Sequence, residues 1–490
     1  MIRVIYLIAA LFIFSCNNRQ AKISNRTNSD TLPNKQSGEN FQILIGTFRG
    51  SAQRNYYGKN PPDSLNVKWK IHLGIGKSSS YRKNGNQYWQ GAGWTGQPLL
   101  TLENDSLYLY QGSLDHNLKK FRVSDGKLIW EYKFDDVIKG TGTIFALTSE
   151  SDLTRKYVIA QGSRRGYGTT LSSKYAFSFR AISAITGESI WKFNVRQTQS
   201  FSRDADGSPL LINDTLYAGF ENGVFSVMDP LRFNDKLNYT TPLIIKEINL
   251  FPKAPNRSNI VIESSPVLLG QRIYIAAGSG SVYGYNLNTK TIDWVYPIGS
   301  DLDGTPAVSN DSCLLVPVEK QYIPGNGGLL KLNPNVEPEN SVEWFLPTGN
   351  KNFLDWAGGI VSSPAVNTLY EKINNRNLAV VSGIDGYLYL IDTDSINASG
   401  KVKGFDNSRF FNSPVIYDKY KIGQSISSPL IIDDIVIAAS YNGLYLFRVN
   451  DELKLMLTDD FRTTFEATPI VYDGKIYIGS KDGFLYCFGN

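Results

Sequence analysis

The phrase Ser208-Pro209-Leu210-Leu211 decides the fold, because it returns. Ser265-Pro266-Val267-Leu268, Thr305-Pro306-Ala307-Val308, Ser363-Pro364-Ala365-Val366, Ser428-Pro429-Leu430-Ile431 and Thr468-Pro469-Ile470-Val471 follow it, and Gln97-Pro98-Leu99-Leu100 precedes it. Each is a polar residue, a proline and two aliphatics. From Pro209 onward the prolines stand 57, 40, 58, 65 and 40 residues apart, and the gap of 111 from Pro98 to Pro209 has room for one copy that has lost its proline. A repeat of this length, rich in strand formers, indicates a propeller or an array rather than unrelated domains.

The last copy shows the unit. Pro469-Ile470-Val471-Tyr472 begins a strand, Asp473-Gly474 turns, Lys475-Ile476-Tyr477-Ile478-Gly479 returns, and Lys481-Asp482-Gly483 leads to Phe484-Leu485-Tyr486-Cys487. Two-residue hairpins need positive φ, which Asp-Gly supplies. A tryptophan marks the fourth strand at Trp130, Trp191 and Trp294, and more loosely at Trp344. Such regular spacing fits an indole docked on the neighbouring sheet better than a ligand-stacking ring. Eight copies start near residues 97, 143, 208, 265, 305, 363, 428 and 468. The copy at Thr143-Ile144-Phe145-Ala146-Leu147 lacks the proline, and the final copy ends after three strands. Leu65-Asn66-Val67-Lys68-Trp69-Lys70-Ile71 alternates correctly and carries a marker-type Trp69. The expectation is an all-β, eight-bladed β-propeller over 41–490, its ring closed by this N-terminal strand on the last blade, which removes two free edges.

The N-terminus reads differently. Arg3 precedes an apolar run from Val4 to Phe14, of signal-peptide length and too short to span a bilayer. The run ends in Ile13-Phe14-Ser15-Cys16, which resembles the lipobox of bacterial lipoproteins. That resemblance implies cleavage of 1–15 and a membrane-lipid anchor on Cys16; an ordinary signal peptide with an incidental cysteine is the other reading. Residues 16–40, rich in Ser, Asn, Lys and Gln, read as a disordered tether. No acidic run follows Cys16, so the expected location is the periplasmic side of the outer membrane.

Lys and Arg number 50 against 45 Asp and Glu, a formal net charge of +5 without a dense basic run, so nucleic acid is not expected as a partner. The repeat resembles the quinoprotein-type (PQQ-like) propeller family over nearly all of 48–490. Phe48-Arg49-Gly50-Ser51-Ala52-Gln53-Arg54 with Val67-Lys68-Trp69-Lys70 is similar to the family's usual opening, and Asp301-Leu302-Asp303-Gly304-Thr305-Pro306 to a phrase of its BamB-like lipoprotein branch. Membership of that branch implies a non-catalytic, monomeric propeller that binds a protein partner such as a barrel-assembly complex and needs no cofactor. The rival branch, PQQ-dependent dehydrogenases, implies a quinone and a vicinal cysteine pair. Beyond Cys16 this chain has only Cys313 and Cys487, far apart, and its two histidines are His72 and His116. General acid–base work by histidine is thus poorly supplied. A sugar-directed enzyme and a cation- or small-ligand-binding propeller stay open as alternatives.

One pattern bears on chemistry. The position three before each repeat proline is Thr95, Asp206, Glu263, Asp303, Val361, Ile426 and Glu466, and Asp204, Asp301 and Asp355 lie in the same loops. In a propeller these entry loops surround one mouth of the central channel, so the carboxylates should gather there. A solvated polar rim is one reading; a calcium site is the other, because that ion prefers clustered oxygens. Two aromatic insertions reach the same face: Tyr81 to Trp94, with Trp89 and Trp94, and Asn350 to Gly358, with Phe353 and Trp356. They are candidate partner contacts or plugs packed over the channel.

Overall fold

The computed structural model describes residues 40–79, 86–234, 238–251 and 259–490. The leader 1–15, Cys16, the tether up to residue 39 and the start of the aromatic insertion at Tyr81 lie outside the described residues. Eight sheets form the propeller, and their first strands begin at Leu99, Thr143, Leu210, Val267, Ala307, Ala365, Leu430 and Ile470. These are the eight expected starts, the proline-less second copy included; Gly142 stands at its proline position.

Each blade contains an antiparallel four-stranded sheet, to whose inner edge Phe41–Ile45 adds an antiparallel strand in the first blade and Gly58–Lys59 a short parallel one in the eighth. The fourth blade runs Val267–Leu269, Arg272–Ala277, Ser281–Asn286 and Thr291–Pro297. Its second and third strands are buried almost throughout because a neighbouring blade covers each face, whereas its outer strand alternates between exposed and covered positions. The hairpin turns have the chemistry expected: Asp473 and Gly474 sit at φ +52° and +76°.

The marker tryptophans join blades. Trp294 donates its indole N–H to Val336 O at 3.2 Å, and Trp344 to Thr393 O at 3.0 Å, each in the following blade. Trp130 covers the turn of the second blade so closely that a Cβ on Gly187 would lie 2.7 Å from its ring. Trp69 completes the series. Its strand, Asn66–His72, pairs antiparallel with the last strand, Phe484–Gly489, and its indole donates to Val123 O of the first blade at 3.0 Å. The N-terminal segment therefore closes the ring as the eighth blade's outer strand.

The repeat phrase explains itself at the channel. Ser208 N donates to Ser265 Oγ at 3.0 Å, Ser265 N to Thr305 Oγ1 at 2.9 Å, Thr305 N to Ser363 Oγ at 3.0 Å, Ser363 N to Ser428 Oγ at 2.9 Å and Ser428 N to Thr468 Oγ1 at 3.4 Å. Gln97 N reaches Thr141 Oγ1 in the same way at 2.8 Å. The hydroxyls of Ser265, Thr305, Ser363, Ser428 and Thr468, each before a repeat proline, are thus acceptors for the blade behind, whereas Ser208 Oγ donates back to Thr141 O at 2.6 Å; all these residues are buried.

The segment 46–57, read from sequence only as a family-like opening, fills the channel at the level of the prolines. Buried Arg54 donates to Pro266 O, Ser208 O, Phe48 O and Thr47 Oγ1, and buried Arg49 to Pro364 O and Pro429 O. Backbone N–H groups of the first strands complete the seam: Ile144 to Gly46 O, Leu268 to Ala52 O, Val308 to Gln53 O and Val471 to Tyr57 O. Arg49 N meets Gln97 Oε1, and Tyr57 Oη accepts from Val366 N. This short segment therefore bonds to every blade. Gly58 leaves the seam at φ +113°, where a Cβ would fall 1.5 Å from Val471 O.

Replacing Arg54 by Ala should destabilise the ring by about 3 kcal/mol or more, since several buried carbonyls lose a charged donor at once. Trp69→Ala should cost about 2–3 kcal/mol through lost burial. Urea unfolding checks both, and a variant that unfolds at the wild-type midpoint removes its residue from the closure.

Candidate functional site

The entry loops and the turns after the second strands lie on one face, and the acidic residues converge there on the third, fourth and fifth blades. Asp206, Glu221 and Glu263 bring carboxylate oxygens within 4.8 Å of one another, and so do Asp301, Asp303 and Glu319. The two groups adjoin, since the charges of Glu263 and Asp303 act on each other. Three of the four expected rim carboxylates therefore share an arc. Glu466 stands apart in the eighth blade, accepting from Tyr441 Oη at 2.6 Å and pairing with Lys481 at 3.2 Å.

The two groups differ in what neutralises them. Lys139, from the loop entering the second blade, contacts Asp206 and lies 3.4 Å from Glu221. Burial opposes its charge, but Asp206, Glu221 and Glu263 hold its ammonium well above the ordinary lysine value. Beside them Arg164 pairs with Asp204 at 3.1 Å. Among the described residues no ion pair reaches Asp301, Asp303 or Glu319. Asn259 donates to Asp301 Oδ2 at 2.5 Å, while Asp301 Oδ1, Asp303 Oδ1 and both oxygens of Glu319 are buried without a hydrogen-bond partner.

Burial pushes Asp206 up to about 6, against the pull of Lys139, and pushes Asp301 up to about 7, reinforced by Glu263. Burial likewise holds Glu221, Glu263, Asp303 and Glu319 well above the carboxylate range, with repulsion from their neighbours adding to it.

Lys139, Glu221 and Glu319 escaped the sequence reading. A signal for the glutamates existed: Ser113, Ser163, Ser279, Ser440 and Ser480 stand near the end of the second strand in five other blades, so an acidic residue there is out of pattern. Lys139 had no such signal, because the entry loop of the proline-less blade could not be aligned with the rest.

The other half of the mouth is apolar. Val361 and Ile426, which occupy the expected rim positions in the sixth and seventh blades, cluster with Ile384 under Trp94, Phe353, Trp356 and Tyr441. Phe353 and Trp356 exchange backbone hydrogen bonds of 2.9 and 3.0 Å, and Phe353 meets Tyr441 edge-on at 4.7 Å. Trp94 and Trp356 thus pack over the channel. Trp89 lies in a hairpin, Ile75–Ser79 with Asn86–Gln90, under the Arg164 guanidinium at 5.2 Å. Around these packed rings Tyr88, Tyr322 and Leu354 are 72%, 56% and 68% exposed. Cys313 and Cys487 are buried, unpaired and in different blades, and burial pushes each thiol up to about 12.

The raised carboxylates set a pH dependence. A carboxyl whose folded value lies above its unfolded one favours the folded state at low pH, and that contribution is lost as pH rises through the folded value. In buffer with a chelator, thermal stability should therefore fall between about pH 4 and pH 7. Asp301→Asn should flatten the upper part of the fall, and melting curves against pH check it; a stability that rises steadily over this range contradicts the assignment.

Residues 79–320 match the family model described as outer membrane protein assembly factor BamB. No curated protein matches the chain. Similar solved structures include the computationally designed Ika8 protein, 11% identical, covering 82% of this chain and 100% of its own, with a TM-score of 0.48. BamB from Moraxella catarrhalis is 13% identical, covering 87% of this chain and 98% of its own, with a TM-score of 0.49. Over residues 79–320 the chain is thus similar to the BamB-like, PQQ-type propeller repeat.

Proposed function

We propose that the protein is a non-catalytic scaffold, lipid-anchored through Cys16 on the periplasmic side of the outer membrane, that binds a protein partner in outer-membrane protein assembly. The observation that carries this reading is the composition of one face. Tyr88, on a hairpin strand, and Tyr322 and Leu354, on loops, are exposed around a rim that is acidic on one side and aromatic on the other. Exposed aromatic and aliphatic side chains on a rigid support are what a partner's hot spots use. The channel-filling segment and the interblade bonds supply the rigidity. The family match supports the assembly role, and the lipobox-like Ser15-Cys16 supports the anchor.

Two experiments test the reading. Affinity purification from solubilised membranes should recover a barrel-assembly complex, and Tyr322→Asp with Leu354→Asp should weaken its capture by about 2 kcal/mol, roughly 30-fold, the loss of a hot spot. Capture that is indifferent to both substitutions places the docking surface elsewhere. Cys16→Ala should release the protein from the membrane fraction; unchanged fractionation contradicts the anchor. Dye reduction that depends on added PQQ and calcium, with alcohols or sugars as substrate, would replace the scaffold by an enzyme.

A further inference from the structure

We propose that Asp301, Asp303 and Glu319 form a binding site for one hard divalent cation of the calcium type. Three carboxylates meet within 4.8 Å, from the loop entering the fifth blade and from the end of its second strand. Glu319 is only 1% exposed, and neither of its oxygens meets an N–H or hydroxyl donor; its polar neighbour is another carboxyl, that of Asp303. A buried carboxylate left in that state costs several kcal/mol, which a protein does not ordinarily leave uncompensated.

The adjoining group provides the comparison. Asp206, Glu221 and Glu263 are as close to one another, but Lys139 stands among them and neutralises them. No ion pair reaches the Asp301 group among the described residues, and the charge of Lys139 acts only on Asp303, as the least of its influences, so the group is compensated either by protons on its own carboxyls or by an ion from outside. A small hard ion that prefers six to eight oxygens meets this need directly, with three carboxylates supplying half the shell and water the remainder.

The site is also held in shape. Ser300 Oγ donates to Glu319 O at 2.5 Å and to Gln321 O at 3.0 Å, fixing the backbone that carries Glu319. Glu319 pairs as an isolated bridge with Gly359, where a Cβ would lie 2.8 Å from Glu319 Cα. Asn259 orients Asp301 by donating to Oδ2, which leaves Oδ1 for the ion. Asp303, half-buried, is the side from which an ion enters.

The test uses the full chain, stripped with a chelator and titrated with calcium alone. Calorimetry should give one ion per chain, terbium luminescence should appear and be displaced by calcium, and the melting temperature should rise by several degrees on saturation. Asp303→Asn with Glu319→Gln should abolish the rise and melt above the metal-free wild type, because repulsion has been removed. Glu221→Gln, in the group served by Lys139, should keep the rise. Absence of calcium binding by the wild type overturns the site, and so does a rise that survives in the double variant. Should the double variant fail to fold, Asp301→Asn alone and the wild-type stoichiometry decide the matter. Neither outcome depends on the pull-down that tests the scaffold reading.

Discussion

From the fourth blade to the eighth, a serine or threonine hydroxyl in front of the repeat proline accepts the backbone N–H of the blade behind it, and the ring depends on this circumferential bond. The first strand of a blade is its innermost, so its free edge faces the channel, where buried backbone groups need partners. Proline has no N–H to satisfy, and it holds the residue before it extended. The hydroxyl then turns what would be an orphan acceptor and an orphan donor into one interblade contact. Where the first blade has Gln97 in place of the small hydroxyl, the longer side chain reaches inward instead, donating to Thr47 O and accepting from Arg49 N.

The carbonyls of these phrases face the axis, and the chain's own N-terminal segment meets them. Arg49 and Arg54 act as hubs because a guanidinium offers five donors in one plane. A propeller is otherwise closed by its last blade alone. Here the same stretch of chain fills the axis and then, through Asn66–His72, supplies the outer strand of that blade. The result is a rigid ring whose chemical variety is confined to one mouth. On one side that mouth concentrates two trios of carboxylates, only one of which holds a lysine, and on the other it is covered by Trp94, Phe353 and Trp356.

Blade number and starts were legible because packing imposes a period: every blade needs the same inner phrase, and most carry a Trp or aromatic residue that docks on the next. Trp69 could be assigned to closure because it continued that period beyond the repeats. The channel-filling role of residues 46–57 was not legible, since it depends on contacts spanning up to 380 positions and on a conformation in which Arg49 and Arg54 both adopt positive φ. The rim was legible in part. Asp206, Glu263, Asp301 and Asp303 followed from their place before the prolines, but Glu466 shares that place and not the arc, because Tyr441 and Lys481 capture it locally. Glu221 and Glu319 lie outside the entry loops, after the second strands, where five other blades carry serine.

Native-state hydrogen exchange tests the interdependence of the ring most directly. The amides of Ser208, Ser265, Thr305 and Ser363 each bond to a hydroxyl in the next blade, so none can open without parting two blades. If the belt and the channel segment make the ring one cooperative unit, all four should exchange only through global unfolding, with one free energy and one dependence on denaturant. Exchange that proceeds blade by blade, at distinct free energies well below that of unfolding, would contradict it.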